Sequence, residues 1–289
     1  DWSSDVCSSD LSQCYYLGKQ DPDNNINGYI KLPNVLAEIP EACFNYCTNL
    51  AEITLPYKVS KIGKQAFFDC ESLKKINSAY DESGSVNKQT SNTITLPETI
   101  TIIGEEAFRY CQRFEIVVIP NNVQEIGRSA LNGCKNLKDL TLPFIGKQKG
   151  NSGTADSLFG FIFGDYNDSS SDEASSDPTV FQTDNGDPNE TSNDKRHAFY
   201  IPESLVTVSI LNESVVTPGA FMNCSHIQSL NIQSSAAEGT QDTTMTIGQG
   251  ALYGCTSLTN LTIPFTGKSD SIDGEEKLIY SHQLKYHQA

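Results

Sequence analysis

One phrase recurs along this chain of 289 residues, and its recurrence constrains the fold more than any other feature. Each copy contains a cysteine with one apolar residue three positions before it and another three positions after it. The copy at residues 62–76 reads IGKQAFFDCESLKKI, and the copy at residues 126–140 reads IGRSALNGCKNLKDL. The six aligned cysteines are Cys47, Cys70, Cys111, Cys134, Cys224 and Cys255. A nucleophilic cysteine occurs once in an active site, so this repetition indicates a structural role.

The spacing of the copies predicts the fold class. Where nothing interrupts them, as between Cys47 and Cys70, the cysteines are 23 residues apart. A Leu-x-x-Ile-x-Leu-Pro segment follows, such as LAEITLP at residues 50–56, and then a Val-x-x-Ile-Gly unit. A period of about 20–29 residues with leucines spaced in this way is typical of leucine-rich repeats. We therefore predict a leucine-rich repeat solenoid, predominantly β, whose stacked coils share a parallel sheet, carry short helical turns and are interrupted by polar loops.

The repeated cysteines are predicted to be buried, reduced and structural. A free cysteine packs as a small hydrophobic side chain, and cysteine is among the residue types most often buried. Disulfides between neighbouring coils are an alternative, since strands lie only about 4.8 Å apart, but side-by-side inward side chains give poor S–S torsion angles. Zinc binding is disfavoured because the chain has no C-x₂-C pair. We accordingly predict no metal and no cofactor.

The same phrases resemble the BspA-like leucine-rich repeats, which occur on surface proteins of host-associated bacteria and of some parasitic protists. The resemblance extends from about residue 30 to residue 267, and the six copies agree at five or more positions each. Pro40 and Thr217 depart from the pattern by replacing the turn glycine, and Cys43 replaces the small alanine. The resemblance implies adhesion to host matrix glycoproteins or to other cells, and an extracellular or cell-surface location.

Interruptions of the repeat predict the domain organisation. The long insertion opens at residues 144–164 with aromatic residues that we expect to pack on the edge of the solenoid, whereas residues 165–195 are acidic and read as a mobile loop. Shorter polar loops are expected at residues 77–91 and 233–245. The predicted units are residues 12–29 as a lead-in, 30–143 as repeats, 144–198 as a largely flexible and acidic insertion, 199–267 as repeats, and 268–289 as a truncated tail.

Two features suggest that the sequence is a fragment of a longer array. TIPFTGK at residues 262–268 restates TLPFIGK at residues 141–147, so the chain stops just after a second insertion begins. The residues that follow supply no polar cap of the kind that ends a solenoid. Residues 1–11 resemble the translation of a sequencing-library adapter, and we exclude them from the prediction of the fold.

Composition excludes several classes of function. A net charge of −16 argues against nucleic acid as a partner, and no basic cluster suggests an anionic membrane surface. No apolar stretch is long enough to span a membrane. The sequence has four histidines, which are His197, His226, His282 and His287. None of them falls in an H-E-x-x-H motif or near a G-x-S-x-G motif, so the sequence predicts no enzyme.

One stretch raises the possibility of calcium binding. Asp23, Asn25 and Asn27 occupy positions 1, 3 and 5 of a calcium-type loop, and Gly28 occupies position 6. Position 12, which normally supplies a bidentate acid, is Asn34. The alternative is an Asx-rich turn that leads into the first strand.

The predicted strands suggest a binding face. Their outward positions are Glu52, Thr54, Lys75, Glu115, Asp139, Thr141, Ser229, Asn231, Asn260 and Thr262. Since solenoids bind partners over long strand-lined surfaces, we predict a protein or glycoprotein ligand from a host matrix or another cell surface. The alternatives are a structural spacer array, or an accessory repeat region of a larger secreted enzyme.

Overall fold

The computed structural model describes residues 28–78, 93–164, 179–234 and 245–263, and shows a solenoid of stacked coils. Its main sheet has nine strands that pair in parallel in the order of the sequence. They are β1 (Tyr29–Lys31), β3 (Glu52–Leu55), β5 (Lys75–Ser78), β6 (Thr93–Thr95), β8 (Ile116–Val118), β10 (Asp139–Leu142), β13 (Thr207–Ile210), β15 (Ser229–Ile232) and β17 (Asn260–Thr262). This sheet confirms the predicted leucine-rich repeat solenoid.

The Val-x-x-Ile-Gly units form the second side of the stack. Four of them build a parallel sheet of β2 (Glu38–Ile39), β4 (Lys61–Ile62), β7 (Ile102–Ile103) and β9 (Glu125–Ile126), and two more pair as β14 (Val215–Val216) and β16 (Thr246–Ile247). The glycine after the strand lets the coils approach closely, because a Cβ added at Gly63 would lie 2.5 Å from the Glu41 nitrogen of the preceding coil. Thr217 replaces this glycine after β14, where its hydroxyl oxygen lies 3.2 Å from the Ser152 hydroxyl oxygen of the insertion.

The segment before each cysteine forms a tight turn that stacks on the equivalent turn of the next coil. Gln65 and Asp69 have φ values of 53° and 56°, in the left-handed region that closes such turns. Between coils, the Phe44 N–H donates to the Ala66 carbonyl at 2.8 Å. The repeated pattern of residues therefore satisfies backbone groups from coil to coil while it turns the apolar side chains inward.

The repeated cysteines lie in the core as predicted. In the described part of the chain seven cysteines are free and buried, and four of their thiols donate to a backbone carbonyl of the preceding coil. The Sγ–O pairs are Cys70–Phe44 at 3.0 Å, Cys111–Phe67 at 3.2 Å, Cys134–Phe108 at 3.3 Å and Cys255–Phe221 at 3.1 Å. A thiol at this position packs as an apolar group and still donates a weak hydrogen bond.

These thiols should make the fold sensitive to alkali. Burial raises the pKa of Cys255 from 9.0 to about 12, and burial raises the pKa of Cys70 and Cys111 well above 9.0. In the unfolded chain the same thiols ionise near pH 9.0, so their contribution to stability is complete below that pH and is lost as the pH rises toward 12. When urea unfolding is measured from pH 8 to pH 11, the urea concentration at the midpoint should fall as the pH rises. In the variant Cys255→Val this fall should be smaller. A midpoint that stays constant up to pH 11 would contradict this account.

The opening of the insertion contributes to the core. Two short 3₁₀ helices, Ala155–Ser157 and Phe159–Phe163, bring the Phe159 and Phe163 side chains to complete burial. The Leu131 N–H donates to the Ile162 carbonyl at 2.8 Å, and the Phe159 N–H donates to the Ala220 carbonyl at 3.0 Å. This segment therefore hydrogen-bonds to the coil before it and to the coil after it, and takes the place of one coil.

The second half of the insertion corrects the sequence-based prediction. Residues 165–178 lie outside the described residues, but β11 (Thr179–Thr183) and β12 (Arg196–Tyr200) form a two-stranded antiparallel sheet. The prediction of a loop is therefore wrong for residues 179–183, which form β11, whereas residues 184–195 do form the connection between the two strands. Gln182 explains the difference, because its buried side-chain oxygen accepts from the Gly160 N–H at 2.9 Å and its Nε2 donates to the Ala220 carbonyl at 3.0 Å. A polar side chain can lie in a core when its hydrogen-bonding groups are used.

The point at which the repeat resumes also differs. Tyr200-Ile201-Pro202 matches the sequence of a repeat strand that ends in proline, but Tyr200 belongs to β12 in the antiparallel pair. The next strand of the main sheet is β13, which pairs in register with β10. The Leu-x-x-Ile-x-Leu pattern therefore resumes at residues 205–210, LVTVSI, as a copy without the cysteine phrase.

Candidate binding face

The outward side of the main sheet carries two rows of side chains, since alternate residues of a strand point to the same side. Strand register defines both rows across all nine strands. The first row is Tyr29, Glu52, Lys75, Thr93, Ile116, Asp139, Thr207, Ser229 and Asn260. The second row is Lys31, Thr54, Asn77, Thr95, Val118, Thr141, Ser209, Asn231 and Thr262. Of the residues between the rows, Ile53 and Leu140 are fully buried, whereas Leu261 on the last strand is half-buried.

Nine of the ten predicted face residues belong to these rows, and Glu115 does not. Glu115 precedes β8 and its Oε2 lies 3.0 Å from Lys138 Nζ. The first outward residue of a strand lies two positions after the apolar residue that follows the cysteine, as Glu52 does after Leu50. The same count from Phe114 leads to Ile116, which pairs with Asp139. Every residue of β8 is apolar, so polar and apolar residues do not alternate there and the sequence does not show which residues point outward. The polar residue just before the strand, Glu115, was therefore predicted to point outward.

The rows at the first three strands are partly occupied by contacts within the protein. Thr54 is only 1% exposed, and its hydroxyl oxygen lies 3.2 Å from the Tyr29 hydroxyl oxygen. Asn77 is 3% exposed and its Nδ2 donates to Glu52 Oε1 at 2.6 Å. Thr54 in particular is placed too deep to contact a large ligand without a rearrangement.

The rows at the last three strands are different. Six side chains lie there: Thr207, Ser209, Ser229, Asn231, Asn260 and Thr262. The first four are half-buried, and Asn260 and Thr262 are exposed. Within the described residues, none of the six side chains forms a hydrogen bond or an ion pair with another part of the protein. Their hydroxyl and amide groups face the solvent.

Charge is also distributed unevenly. The chain carries a net charge of −16, yet among the described residues from 204 to 263 the only Asp, Glu, Lys or Arg is Glu213, which is 1% exposed. Glu238 and Asp242 fall in residues 235–244, which lie outside the described residues. The outward side of β13, β15 and β17 therefore carries no charged side chain. Glu203 is exposed just before β13, and Asp139, which pairs with Thr207, carries a charge on the neighbouring strand β10.

Two histidines lie in the described residues away from the rows. His197 Nε2 lies 3.4 Å from Asp184 Oδ2 at the hairpin, and burial lowers the pKa of His226. In the four described ranges, no three His, Cys, Asp or Glu side chains are grouped so that they could hold a metal ion. Residues 23–27, which hold positions 1, 3 and 5 of the predicted calcium loop, lie outside the described residues, and calcium binding there stays a prediction. No helix among the described residues is long and apolar enough to cross a membrane.

The stacked coils, each adding a strand to one parallel sheet, define a leucine-rich repeat protein. The family model for the BspA type leucine rich repeat region matches the chain with six copies at residues 23–93, 83–152 and 188–273. These matches span well over half of the sequence, so the chain belongs to the BspA-type leucine-rich repeat family. No curated protein sequence matches the chain at a significant level.

Several solved structures are similar to this chain at low sequence identity. A leucine-rich repeat protein of T. pallidum is 18% identical with a TM-score of 0.39, over 86% of this chain and 68% of that one. A leucine-rich repeat protein from Bacteroides ovatus is 21% identical with a TM-score of 0.31, over 82% of this chain and 67% of that one. A leucine-rich cell surface protein from Faecalibacterium prausnitzii is 16% identical with a TM-score of 0.28, over 75% of this chain and 62% of that one.

Proposed function

We propose that this chain is a non-catalytic binding protein, displayed at the cell surface or secreted, that attaches to a protein or glycoprotein of a host matrix or of another cell. The observation that carries the proposal is the continuous parallel sheet with two registered rows of outward side chains. Solenoids of this kind use such extended surfaces to bind partners. Resemblance to the BspA-like surface proteins supports the extracellular location.

The size of the face fits a macromolecular ligand. With strands about 4.8 Å apart, the nine strands of the main sheet make a face roughly 40 Å long. A protein–protein interface of standard size buries about 800 Å² on each partner. A surface of this length can supply such an area, provided that the ligand follows the stacking direction of the coils.

Binding to matrix proteins tests the proposal. The full chain is immobilised and its binding to fibronectin, fibrinogen and mucin is measured by biolayer interferometry. Thr141→Glu and Thr262→Glu each place an unpaired charge on the second row, and each should weaken saturable binding about tenfold or more, because a desolvated charge without a partner is costly. The matched control is Thr256→Glu, which adds the same charge at an exposed position outside both rows.

Two results would overturn the proposal. If Thr256→Glu weakens binding as much as Thr262→Glu, the ligand does not use the rows. If a folded protein binds none of the three ligands, the spacer array and the accessory region of a secreted enzyme become the better interpretations.

A further inference from the structure

The last three strands of the main sheet carry a feature that the proposed function does not yet use. Their six outward side chains are neutral, are able to form hydrogen bonds, and remain without a side-chain partner among the described residues. By contrast, Asn77 and Thr54 on the earlier strands already bond to Glu52 and Tyr29. The hydrogen-bonding capacity of the face is therefore free at β13, β15 and β17 and partly spent at β1, β3 and β5.

The register arranges these six side chains as a regular field. Thr207 pairs with Ser229 and Ser229 pairs with Asn260 in the first row, and the second row repeats this arrangement one step along the strands. Strand spacing and residue rise make the field roughly 10 Å by 7 Å. Hydroxyl and amide groups both donate and accept hydrogen bonds, so each of the six side chains can donate to a ligand hydroxyl group or accept from it.

Absence of charge at this field selects against a charged ligand. A carboxylate, sulfate or ammonium group loses hydration when it is bound and needs an opposite charge to offset the loss. The described residues from 204 to 263 supply only Glu213, which is buried and already accepts backbone N–H groups. Asp139, which pairs with Thr207 at the edge of the field, would repel an anion and lies beside only one of the six side chains. A neutral ligand meets no such penalty, and it is not repelled by the acidic remainder of the chain.

The field also lacks what a peptide ligand would need. Protein interfaces depend on aromatic, arginine or large apolar anchors that fill pockets. None of the six outward residues on β13, β15 and β17 is aromatic, charged or apolar. Their backbone groups are not available to an added strand on β13 and β15, since both strands are paired on each side.

We propose that the outward surface of β13, β15 and β17 binds a neutral, hydroxyl-rich glycan through Thr207, Ser209, Ser229, Asn231, Asn260 and Thr262. This inference rests on the proposed function, because it names the class of ligand that the face recognises. The glycan is a neutral oligosaccharide chain, free or attached to a glycoprotein.

Glycan binding by the full chain tests the inference. The protein is produced in a bacterial host, so that the N-x-T sequence at Asn260 stays unmodified. Isothermal titration calorimetry compares neutral oligosaccharides of hexoses and N-acetylhexosamines with heparin and polysialic acid. We expect saturable binding of at least one neutral oligosaccharide, no binding of the two acidic polymers, and an affinity unchanged between 50 mM and 500 mM salt, because no ion pair is formed.

Variants locate the binding site. Asn231→Ala and Asn260→Ala should each lower the affinity for the neutral oligosaccharide about 3- to 10-fold, which is the usual effect of removing one or two neutral hydrogen bonds. Asn189→Ala removes an exposed amide from the connection between β11 and β12, outside both rows, and should leave the affinity unchanged. Circular dichroism of each variant confirms that it is folded.

The outcomes separate this inference from the proposed function. Selective binding of an acidic polymer, strong dependence on salt, or an effect of Asn189→Ala without an effect of Asn231→Ala would overturn the neutral-glycan site. Equal binding of fibronectin before and after enzymatic removal of its glycans would also overturn it, and would leave the adhesive function standing with a peptide ligand. Failure of a folded chain to bind any protein or any glycan would overturn both proposals.

Discussion

Replacement of Phe67 with alanine is expected to lower the free energy of unfolding by about 3–5 kcal/mol, which is the usual loss for a large aromatic residue in a core. The Phe67 ring is completely buried and lies between two parallel rings. Its centroid is 5.3 Å from that of Phe44 and 5.5 Å from that of Phe108, with interplanar angles of 8° and 4°. The substitution therefore opens a cavity that touches three successive coils.

Urea unfolding followed by circular dichroism measures this loss. The matched control is Phe68→Ala, which removes the same ring from the neighbouring residue, where the side chain is half-buried at the surface of the turn. Phe68 contacts Tyr46, with ring centroids 5.2 Å apart, but it does not lie in the core, so its loss should be less than half as large. Equal losses for the two variants would show that the stacked phenylalanines add little to the coupling between coils.

The core of the solenoid could be predicted from the sequence because its spacing repeats. Each of the six copies with a cysteine places an apolar residue three positions before the cysteine and another three after it, and stacking turns these residues toward the core. Phe44, Phe67 and Leu131 illustrate this, since all three are completely buried. Because the pattern repeats, the same structural position occurs in several copies. One copy that departs from the pattern therefore does not change the prediction.

The second half of the insertion could not be predicted in the same way. Its composition is polar, and a polar segment without a period reads as a loop. Gln182 lies in the core because its partners, Gly160 and Ala220, are 22 and 38 residues away in the sequence. Such partners become visible only when the coils are assembled, so local composition misjudged residues 179–183.

The candidate binding face lies between these two cases. Alternation along the strands placed nine of the ten predicted residues on the outward side of the main sheet, but the extent to which each side chain is free depends on the neighbouring coil. Thr54 and Asn231 occupy equivalent outward positions, yet the first is 1% exposed beside Tyr29 and the second is half-buried without a bond to another described residue. A single sequence does not contain this distinction, because it arises from pairs of side chains on adjacent strands.

Replacement of Glu213 with alanine is expected to lower the free energy of unfolding by about 3–5 kcal/mol, because hydrogen bonds to a buried charged group are costly to lose together. Glu213 is 1% exposed. Its Oε2 accepts from the Ile145 N–H at 3.1 Å, and its Oε1 accepts from the Ser214 N–H at 2.8 Å, the Val215 N–H at 3.3 Å and the Gly150 N–H at 3.3 Å. One carboxylate thus joins the start of the insertion to the start of β14.

A graded series separates the charge from the shape of this side chain. Glu213→Gln keeps one oxygen as an acceptor, so its free energy of unfolding should fall less than that of Glu213→Ala. Glu203→Ala removes an exposed carboxylate and should change the free energy of unfolding little. Hydrogen exchange should show the largest gain at the amides of Ile145, Gly150 and Val215, whose acceptor has been removed. Unchanged exchange at these amides, together with full stability of Glu213→Ala, would show that the insertion is held by its buried Phe159 and Phe163 rings and not by the carboxylate.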